Sequence, residues 1–268
     1  MRKLLLFFFF LNNVFGNITL MSQIQEKEVM YKILNLPTVD LENFPVDIDG
    51  WTILFDGHSF KGWRGYNRTD IPLKWVVEDG TIHLKGTGTG QAGTDGGDLI
   101  FAYKFKNFEL ELEWKASKSA NSGISYLLRE VQGEYASMSA PEYQLLDNEN
   151  HPDAKEGKDG NRQSASLYDL IPAKPQNAKP YGQWNKVKIV CDKGSITHFQ
   201  NDVAVVKYDL WTSEWEKLLN SSKFSKETNP LAYELLRHCG GERREGFIGF
   251  QDHGYDVWFR NIRIRLLE

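Results

Sequence analysis

Cysteine is scarce in this chain: its 268 residues contain two, Cys191 and Cys239. No paired Cys or Cys/His spacing occurs, which excludes a thiolate zinc site of the usual kind. The two cysteines lie far apart in sequence, and an export compartment would permit them to pair. Cys191 also fits a strand pattern as a small core residue, so the sequence leaves the disulfide open.

An excess of charge of one sign is also missing. The chain has 32 Lys and Arg against 36 Asp and Glu, for a formal net charge of −4. The basic residues are dispersed, so the sequence carries no electrostatic footprint for nucleic acid. It also lacks a Gly-x-Ser-x-Gly elbow, a phosphate-binding Gly-Lys-Ser/Thr loop and a His-Glu-x-x-His motif, which excludes three common enzyme classes.

Long apolar runs are absent after the N-terminus. Arg2 and Lys3 precede an apolar run from Leu4 to Leu11, and polar residues follow, which is typical of a secretory signal peptide. The run is too short to cross a bilayer as a helix. We therefore expect a signal peptide over residues 1–21 and an exported protein, periplasmic or at the cell surface or outside the cell, without a stable membrane span. An uncleaved anchor is the alternative.

The remaining chain is expected to form one domain. Hydrophobic residues make up 41% of the sequence and aromatic residues 13%, enough for a sizeable core. Residues 22–48 mix charges with Pro37 and Pro45 and predict a linker that holds a helical turn or packs loosely. The domain is expected over residues 49–268.

Alternation of apolar and charged residues predicts β-structure. Phe108, Leu110, Leu112 and Trp114 alternate with glutamates and a lysine, as in a strand with one packed and one solvated face. Many short segments of this kind, separated by turn residues, indicate a sandwich or barrel. The other predicted strands are Trp51–Phe55, Lys74–Val77, Thr81–Leu84, Asp98–Phe101, Gly123–Arg129, Glu142–Leu146, Trp184–Cys191, Ser195–Gln200, Val203–Tyr208, Phe247–Gln251 and Val257–Leu266.

Three irregular regions interrupt this rhythm. Residues 209–245 show helical spacing and predict two short helices that cover a sheet end or edge. The charged loop Asn148–Ala165 is long enough to be either functional or disordered. In the last strand the apolar residues switch from odd to even positions, which predicts a bulge near Arg260 and Asn261.

The stretch from Gly246 to Gly254, followed by Val257–Ile262, predicts a β-hairpin that presents Gln251 and His253. Earlier segments share its polar-tipped strand character: Asn121-Ser122-Gly123-Ile124, Pro141 to Asp147, Leu167 to Ile171 and Trp184-Asn185. In this order the segments resemble the 3-keto-disaccharide hydrolase domain family, over roughly residues 50–268. The resemblance implies an all-β, concanavalin A-like jelly-roll sandwich with a small helical insertion. It also implies an enzyme that cleaves 3-keto-glycosides.

Three residues are candidates for catalysis. In the strand from Glu142, the Glu142 and Gln144 side chains share one face, where a carboxyl group can move a proton if burial tunes its pKa. On sequence alone an exposed glutamate is the commoner outcome, but the resemblance favours a catalytic Glu142. His253 can act as acid or base or ligate a metal, or simply cap a turn. Tyr168 can donate to a leaving oxygen or pack.

Further residues are candidates for binding. The loop after Asp147 carries oxygen and nitrogen ligands at Asp147, His151 and Asp153, so a divalent metal is a candidate cofactor of unknown identity, with a solvated loop as the alternative. Packing or solvation is the default for the sugar-binding candidates as well. Those candidates are Gln144, Gln251, Asn121, Asn161, Arg162, Trp63, Trp184, Tyr126 and Glu130.

The resemblance implies a chemistry in which a 3-keto group acidifies the C2 proton. Glu142 or His253 would remove that proton, and Tyr168 or the other of the pair would protonate the C1 oxygen as it departs by β-elimination, with water added afterwards. Gln144 or a metal would polarise the C3 carbonyl. A conventional glycosidase pairing Glu142 with Glu130 or Asp147 is one alternative. A lectin-like module without turnover is the other.

Overall fold

A computed structural model describes residues 30–88 and 92–268, and within them thirteen strands form two antiparallel sheets. The predicted signal peptide lies outside the described residues. In spatial order the eight-stranded sheet contains β11 (Val203–Asp209), β10 (Ser195–Gln200), β9 (Asn185–Asp192), β6 (Phe108–Ala116), β13 (Val257–Leu266), β4 (Thr81–Leu84) and β3 (Trp75–Glu78), and β1 (Thr52–Ile53) also pairs with β13. The five-stranded sheet contains β2 (Trp63–Gly65), β5 (Leu99–Phe105), β12 (Gly246–Phe250), β7 (Asn121–Leu128) and β8 (Glu142–Leu146). This arrangement confirms the predicted all-β sandwich.

Strand β6 shows how the pattern produces the fold. Its apolar residues are buried in the core between the sheets, and its glutamates lie on the outer face. There Glu113 accepts a hydrogen bond from Arg260 of β13 at 2.8 Å, and Glu111 accepts one from Arg263 at 2.8 Å. Opposite charges directly across a strand pair contribute roughly 0.2–1 kcal/mol each. The alternation thus sets both the core face and the cross-strand register.

The predicted hairpin between the last two strands is wrong. Strands β12 and β13 belong to different sheets, and residues 251–256 carry the chain across the sandwich. The physical reason is visible in Phe250 and Phe259, whose rings stack across the core with centroids 4.0 Å apart. The crossing segment is held by its own hydrogen bonds: the Gln251 N–H donates to the Gly123 carbonyl oxygen, and the Asp252 carboxylate accepts the backbone N–H groups of Gly97 and Gly254.

The helical insertion is confirmed as α1 (Ser213–Asn220) and α2 (Pro230–Arg237). The Thr212 hydroxyl accepts the Trp215 N–H at 3.1 Å and caps α1, a contact worth about 1 kcal/mol. The Trp215 ring stacks on Tyr208 at 5.6 Å, which docks the insertion against β11. The loop between the two helices reaches the outer face of the five-stranded sheet.

Other predictions have mixed outcomes. The bulge in β13 is confirmed, because the register shifts between Arg260 and Arg263 and Asn261 has φ 53°. Strand β2 was not predicted. Within residues 30–48, Leu41 and Phe44 are buried in the core, whereas most of the other residues are exposed.

Both cysteines are buried free thiols, and burial raises the pKa of Cys191 to about 12. The thiolate form needed for disulfide exchange is therefore strongly disfavoured at neutral pH. Between residues 30 and 268, outside the 89–91 gap, no helix is long and apolar enough to cross a membrane.

Candidate active site

The candidate site lies on the outer face of the five-stranded sheet, where β8 runs beside β7. Alternation along β8 places Tyr143 and Leu145 in the core and leaves Glu142 and Gln144 on the other face, as predicted. Antiparallel pairing sets Gly123 of β7 opposite Gln144. Residues on this face come from β7, β8 and β12, and loops cover it from above. Glu142 is accordingly only 6% exposed.

Gly123 makes room for the Glu142 carboxyl group. A Cβ atom at position 123 would lie 2.2 Å from Glu142 Oε1, far inside van der Waals contact. Glycine is therefore required here by the close approach of a side chain and not by a left-handed backbone conformation. The carboxyl group rests on the sheet because this strand position carries no side chain.

We expect Gly123→Ala to move Glu142 and to lower kcat about 100-fold, because misplacing a catalytic group by about 1 Å costs roughly that much. Gly249→Ala is the matched control: it adds a methyl group to the same face, and its Cβ meets nothing closer than 3.1 Å. Steady-state kinetics with thermal melting of both variants checks the prediction. Equal losses in the two variants would contradict it.

Gln144 orients Glu142. With its amide nitrogen turned toward β7, Gln144 donates to the Ser122 carbonyl oxygen at 2.9 Å and to Glu142 Oε1 at 3.1 Å. A backbone carbonyl can only accept, so this orientation is the one that satisfies both groups. The Asn121 side chain, only 6% exposed, lies 3.3 Å from the same amide. Gln144 thus holds the carboxyl group of Glu142 on the sheet face.

The surroundings of Glu142 favour its neutral form. The pKa of Glu142 is raised to about 8: burial is the largest cause, the Lys223 ammonium opposes it, and Asp98 and Asp153 add to it. A carboxylate loses much of its hydration in such a site, so the charged form is disfavoured. Near pH 7 most of the Glu142 population is protonated and can give up a proton.

Lys223 enters the site from the loop between α1 and α2. Its ammonium lies over the Tyr168 ring, 4.1 Å from the centroid, and its backbone N–H donates to Asp169 Oδ2 at 3.1 Å. Burial of the ammonium lowers the pKa of Lys223, whereas Glu142 and Asp169 raise it. No local pattern in the sequence points to this lysine, because the insertion was expected only to cover a sheet end.

Tyr168 and the charged loop residues line one side of the site and are held in place by hydrogen bonds and ion pairs. The Tyr168 hydroxyl donates to Asp153 Oδ2 at 3.2 Å, and Arg162 holds Asp153 at 2.8 Å and Asp169 at 2.6 Å. The Tyr168 N–H donates to the Glu142 carbonyl oxygen at 3.0 Å. Burial raises the pKa of Tyr168, so the phenol stays protonated at neutral pH. The predicted site residues Arg162 and Tyr168 are therefore brought beside Glu142.

His253 lies on the segment that crosses between the sheets. Burial lowers the pKa of His253, and His151 adds to the effect, whereas Asp153 and Asp252 oppose it. The imidazole is therefore neutral at pH 7 and can accept a proton.

Two neighbours of His253 add acceptors to the site. Burial raises the pKa of Asp98 to about 7, although the Asp252 N–H donates to Asp98 at 2.9 Å; Asp98 was not predicted. Gln251 Oε1 is buried and has no hydrogen-bond partner within the described part of the chain. A ligand hydroxyl group in the site could satisfy that amide oxygen.

Four of the predicted sugar-binding residues lie elsewhere in the fold, and the side chain of a fifth, Asn161, is held within its own loop. Tyr126 is buried in the core, where its hydroxyl bonds His198 at 2.7 Å, so it cannot stack on a sugar. Tyr126 is two positions after Ile124 in the strand, so both side chains point to the same face, which is the core. Trp184 lies at the opposite sheet beneath the Arg260 guanidinium, 3.9 Å from its ring centroid.

The other three, Glu130, Asn161 and Trp63, are held by internal contacts. Glu130 is 1% exposed and bonds both its oxygens to Arg64, at 2.6 and 2.7 Å, so it is not free to bind substrate. Asn161 is buried and accepts the Lys158 N–H at 2.9 Å within its own loop. Trp63 is also buried, and its indole N–H donates to the Leu54 carbonyl oxygen. None of these three side chains presents a free face to a sugar.

The three metal-ligand candidates are not gathered into one site. Asp147 accepts the Ser119 N–H at 2.8 Å, and Asp153 is held by Arg162 and Tyr168. His151 Nδ1 accepts the Asp153 N–H at 3.1 Å. Among residues 30–88 and 92–268 no three His, Cys, Asp or Glu side chains are grouped so that they could hold a metal ion together.

The neutral imidazole of His253 and the protonated carboxyl group of Glu142 share Asp153 and Lys223 as charged neighbours. An acid and a base in one covered region are the parts of a proton-transfer site, which is typical of an enzyme. Comparison with known proteins agrees. Residues 50–265 match the model of the 3-keto-alpha-glucoside-1,2-lyase-like domain, so the chain belongs to that family.

The relatives define the class of enzyme. A 3-keto-disaccharide hydrolase of Bacteroides thetaiotaomicron is 59% identical over 247 residues, covering 88% of this chain and 85% of the relative. Two crystal structures of candidate glycosyl hydrolases from Parabacteroides distasonis are 28% and 25% identical, with TM-scores of 0.69 and 0.61. They cover 82% and 81% of this chain and 95% and 99% of theirs. The protein is a glycosidase-type hydrolase that acts on glycosides.

Proposed function

We propose that this enzyme cleaves the glycosidic bond of 3-keto-glycosides by β-elimination followed by hydration. The observation that carries the proposal is the pair of opposite pKa shifts in one site: the pKa of His253 is lowered and that of Glu142 is raised. Environments that push two pKa values apart assign a base and an acid. The name of the 59% identical relative supports a 3-keto substrate.

The first step is removal of the C2 proton. A carbonyl group at C3 makes this proton acidic, and the neutral His253 imidazole accepts it while the C2–H electron pair moves into an enolate. The developing charge on the C3 oxygen is stabilised by the Lys223 ammonium, which stands beside Glu142. Lys223 thus takes the polarising role that the sequence suggested for Gln144.

The second step breaks the C1–O bond. The enolate electrons re-form the C3 carbonyl and a C1=C2 double bond, and the leaving oxygen takes the proton of Glu142. Water then adds across C1=C2: its oxygen bonds to C1 while the Glu142 carboxylate takes its proton, and the His253 imidazolium gives a proton to C2. This restores both groups and gives the free 3-keto sugar. Glycoside and water are consumed and sugar and alcohol are produced, so the overall change is a hydrolysis that needs no oxidant or reductant.

The structure weakens the conventional two-carboxylate alternative. That mechanism needs a second carboxyl group across the bond from Glu142, either about 5–5.5 Å or about 6.5–9.5 Å away. Glu130 is neutralised by Arg64, and Asp147 is saturated by the Ser119 and Asn150 N–H groups. Neither is free to serve as nucleophile or base.

Export belongs to the proposal as well. It is supported by the basic residues and the apolar run of residues 2–11, which precede the domain. Amino-terminal sequencing of the protein recovered from cell fractions tests it: export predicts a shortened chain in the periplasmic, cell-surface or extracellular fraction, and a full-length cytoplasmic chain would contradict it.

The enzyme should release the aglycone from 3-keto-glucosides at least about 1,000-fold faster than from the matched ordinary glucosides, because only the ketone acidifies C2. The pH profile of kcat/KM should be bell-shaped: it rises through the lowered pKa of His253, below its usual 6.5, and falls through the pKa of Glu142 near 8. Initial rates on both substrates from about pH 4.5 to about 9.5 check this. Equal rates on the two substrates would contradict the proposal.

A further inference from the structure

A second cleft crosses the outer face of the eight-stranded sheet, on the side of the sandwich opposite Glu142. It encloses about 810 Å³, within the range of roughly 300–1,000 Å³ found for small-molecule sites. None of Glu142, Tyr168 or His253 lines it. The wall residues include Phe55 and Phe199, and the cleft is called the transverse groove below.

The groove exists because β13 changes partners along its length. Its first half pairs with β4 and its second half with β1, and the bulge at Asn261 separates the two. The turn at Gly80 and the segment after β1 therefore stand apart as walls. The floor crosses β13, β6, β9 and β10, three strand spacings or about 14 Å, long enough for more than one sugar ring.

Each basic side chain that lines the transverse groove is already paired with a carboxylate. Glu111 bonds Arg263 at 2.8 Å, and Lys188 lies 3.6 Å from the same carboxylate. Lys186 pairs with Asp202 at 3.2 Å. An ionic ligand would have to break these pairs, whereas a neutral ligand with many hydroxyl groups could use their remaining donors and acceptors.

Two further side chains suit a sugar. Phe199 is partly exposed on the outer face of β10 and gives the groove an apolar wall. Asn261 projects from the bulge at φ 53° and is exposed. A flat apolar surface beside fixed polar groups is the usual composition of a ligand site.

We propose that the transverse groove is a second, non-catalytic site that binds a neutral oligosaccharide chain. It would hold the glycan to which the cleavable sugar is attached, or a neighbouring chain, at a distance from the chemistry. The paired charges select against acidic glycans. This site requires neither the 3-keto substrate nor the elimination, so it stands or fails separately from the proposed function.

Isothermal titration of the full chain with maltohexaose, cellohexaose and a galacturonic acid hexamer tests the site. The Glu142→Gln variant is used so that no turnover occurs. We expect saturable binding of at least one neutral hexamer and none of the acidic one. Phe199→Ala and Lys186→Ala should each weaken that binding at least fivefold, while Lys207→Ala, exposed on the same sheet, should leave it unchanged.

The same groove variants, made in the active enzyme, should turn over a small 3-keto-glucoside within twofold of the normal rate. Thermal melting confirms that each variant is folded. Absence of saturable binding for both neutral hexamers would overturn the site, as would binding that the groove variants leave unchanged. Loss of turnover in the groove variants would also overturn it, because the groove would then serve the catalytic site.

Discussion

Glu142→Gln should lower kcat on a 3-keto-glycoside about 1,000-fold, within the range of roughly 10²–10⁴ that a positioned acid or base contributes. The amide keeps the shape of the carboxylic acid but has no proton to give to the leaving oxygen. Because Glu142 is only 6% exposed, no water can readily replace it. The falling limb of the pH profile near 8 should disappear with the carboxyl group.

The same substitution should stabilise the fold at alkaline pH. The pKa of Glu142 is raised in the folded state, from 4.5 to about 8, so the native state holds a proton that the unfolded state has lost. Stability therefore declines as pH rises between these values, and the neutral amide removes that decline. We expect a gain of at least ~1 kcal/mol near pH 8.5, because a tenfold difference in proton affinity between the folded and unfolded states corresponds to about 1.4 kcal/mol.

Kinetics and urea unfolding at about pH 6 and about pH 8.5 check both effects. Glu149→Gln is the matched control, because it makes the same change on an exposed residue of the following loop. That control should leave kcat and stability unchanged. A Glu142→Gln variant that retains more than a tenth of the normal kcat would remove Glu142 from the chemistry.

Breaking the buried ion pair should have the largest effect on stability. Glu130→Gln would leave Arg64 with an unpaired charge in a place where the two side chains are 5% and 0% exposed. Removing one partner of a buried pair costs roughly 3–5 kcal/mol. The guanidinium joins β2 to the end of β7 and also donates to the Pro37 carbonyl oxygen, so the N-terminal segment should loosen too.

Urea unfolding compared with a surface pair measures this effect. Arg68 and Asp70 also form an ion pair, but their side chains are 37% and 66% exposed, so Asp70→Asn should cost less than ~1 kcal/mol. The double change Arg64→Met with Glu130→Leu should recover much of the loss, because it leaves no buried charge. Equal costs at the buried and exposed pairs would refute the structural role of Glu130.

Local patterns in the sequence predicted the strands well, because a strand in a sandwich must alternate between core and solvent. Because side chains alternate between the two faces of a strand, the sequence alone predicted which face Glu142 occupies and that the glutamates of β6 point outward. Helical spacing and the change of parity at Asn261 likewise predicted the insertion and the bulge. Each of these features depends on residues within a few positions of one another.

Longer-range features could not be predicted. Strands β12 and β13 have the spacing of a hairpin, and only the packing of Phe250 on Phe259 shows that they lie in opposite sheets. Lys223 comes to Glu142 from 81 positions further along the chain, and nothing in its local sequence marks it. The site is assembled by loops, and a loop's destination depends on the whole fold.

Deuterium incorporation tests the elimination mechanism most directly. A 3-keto-glucoside is incubated with the enzyme in D₂O, and the C2 position of the released 3-keto sugar is analysed by NMR at early times, with an enzyme-free sample to correct for spontaneous exchange. If the proton that His253 takes from C2 exchanges with D₂O before a proton is returned, elimination and hydration predict one deuterium at C2 in each product molecule, and a substrate deuterated at C2 should react several-fold more slowly. A product that keeps its original C2 proton, together with the absence of that isotope effect, would show that the bond breaks without elimination.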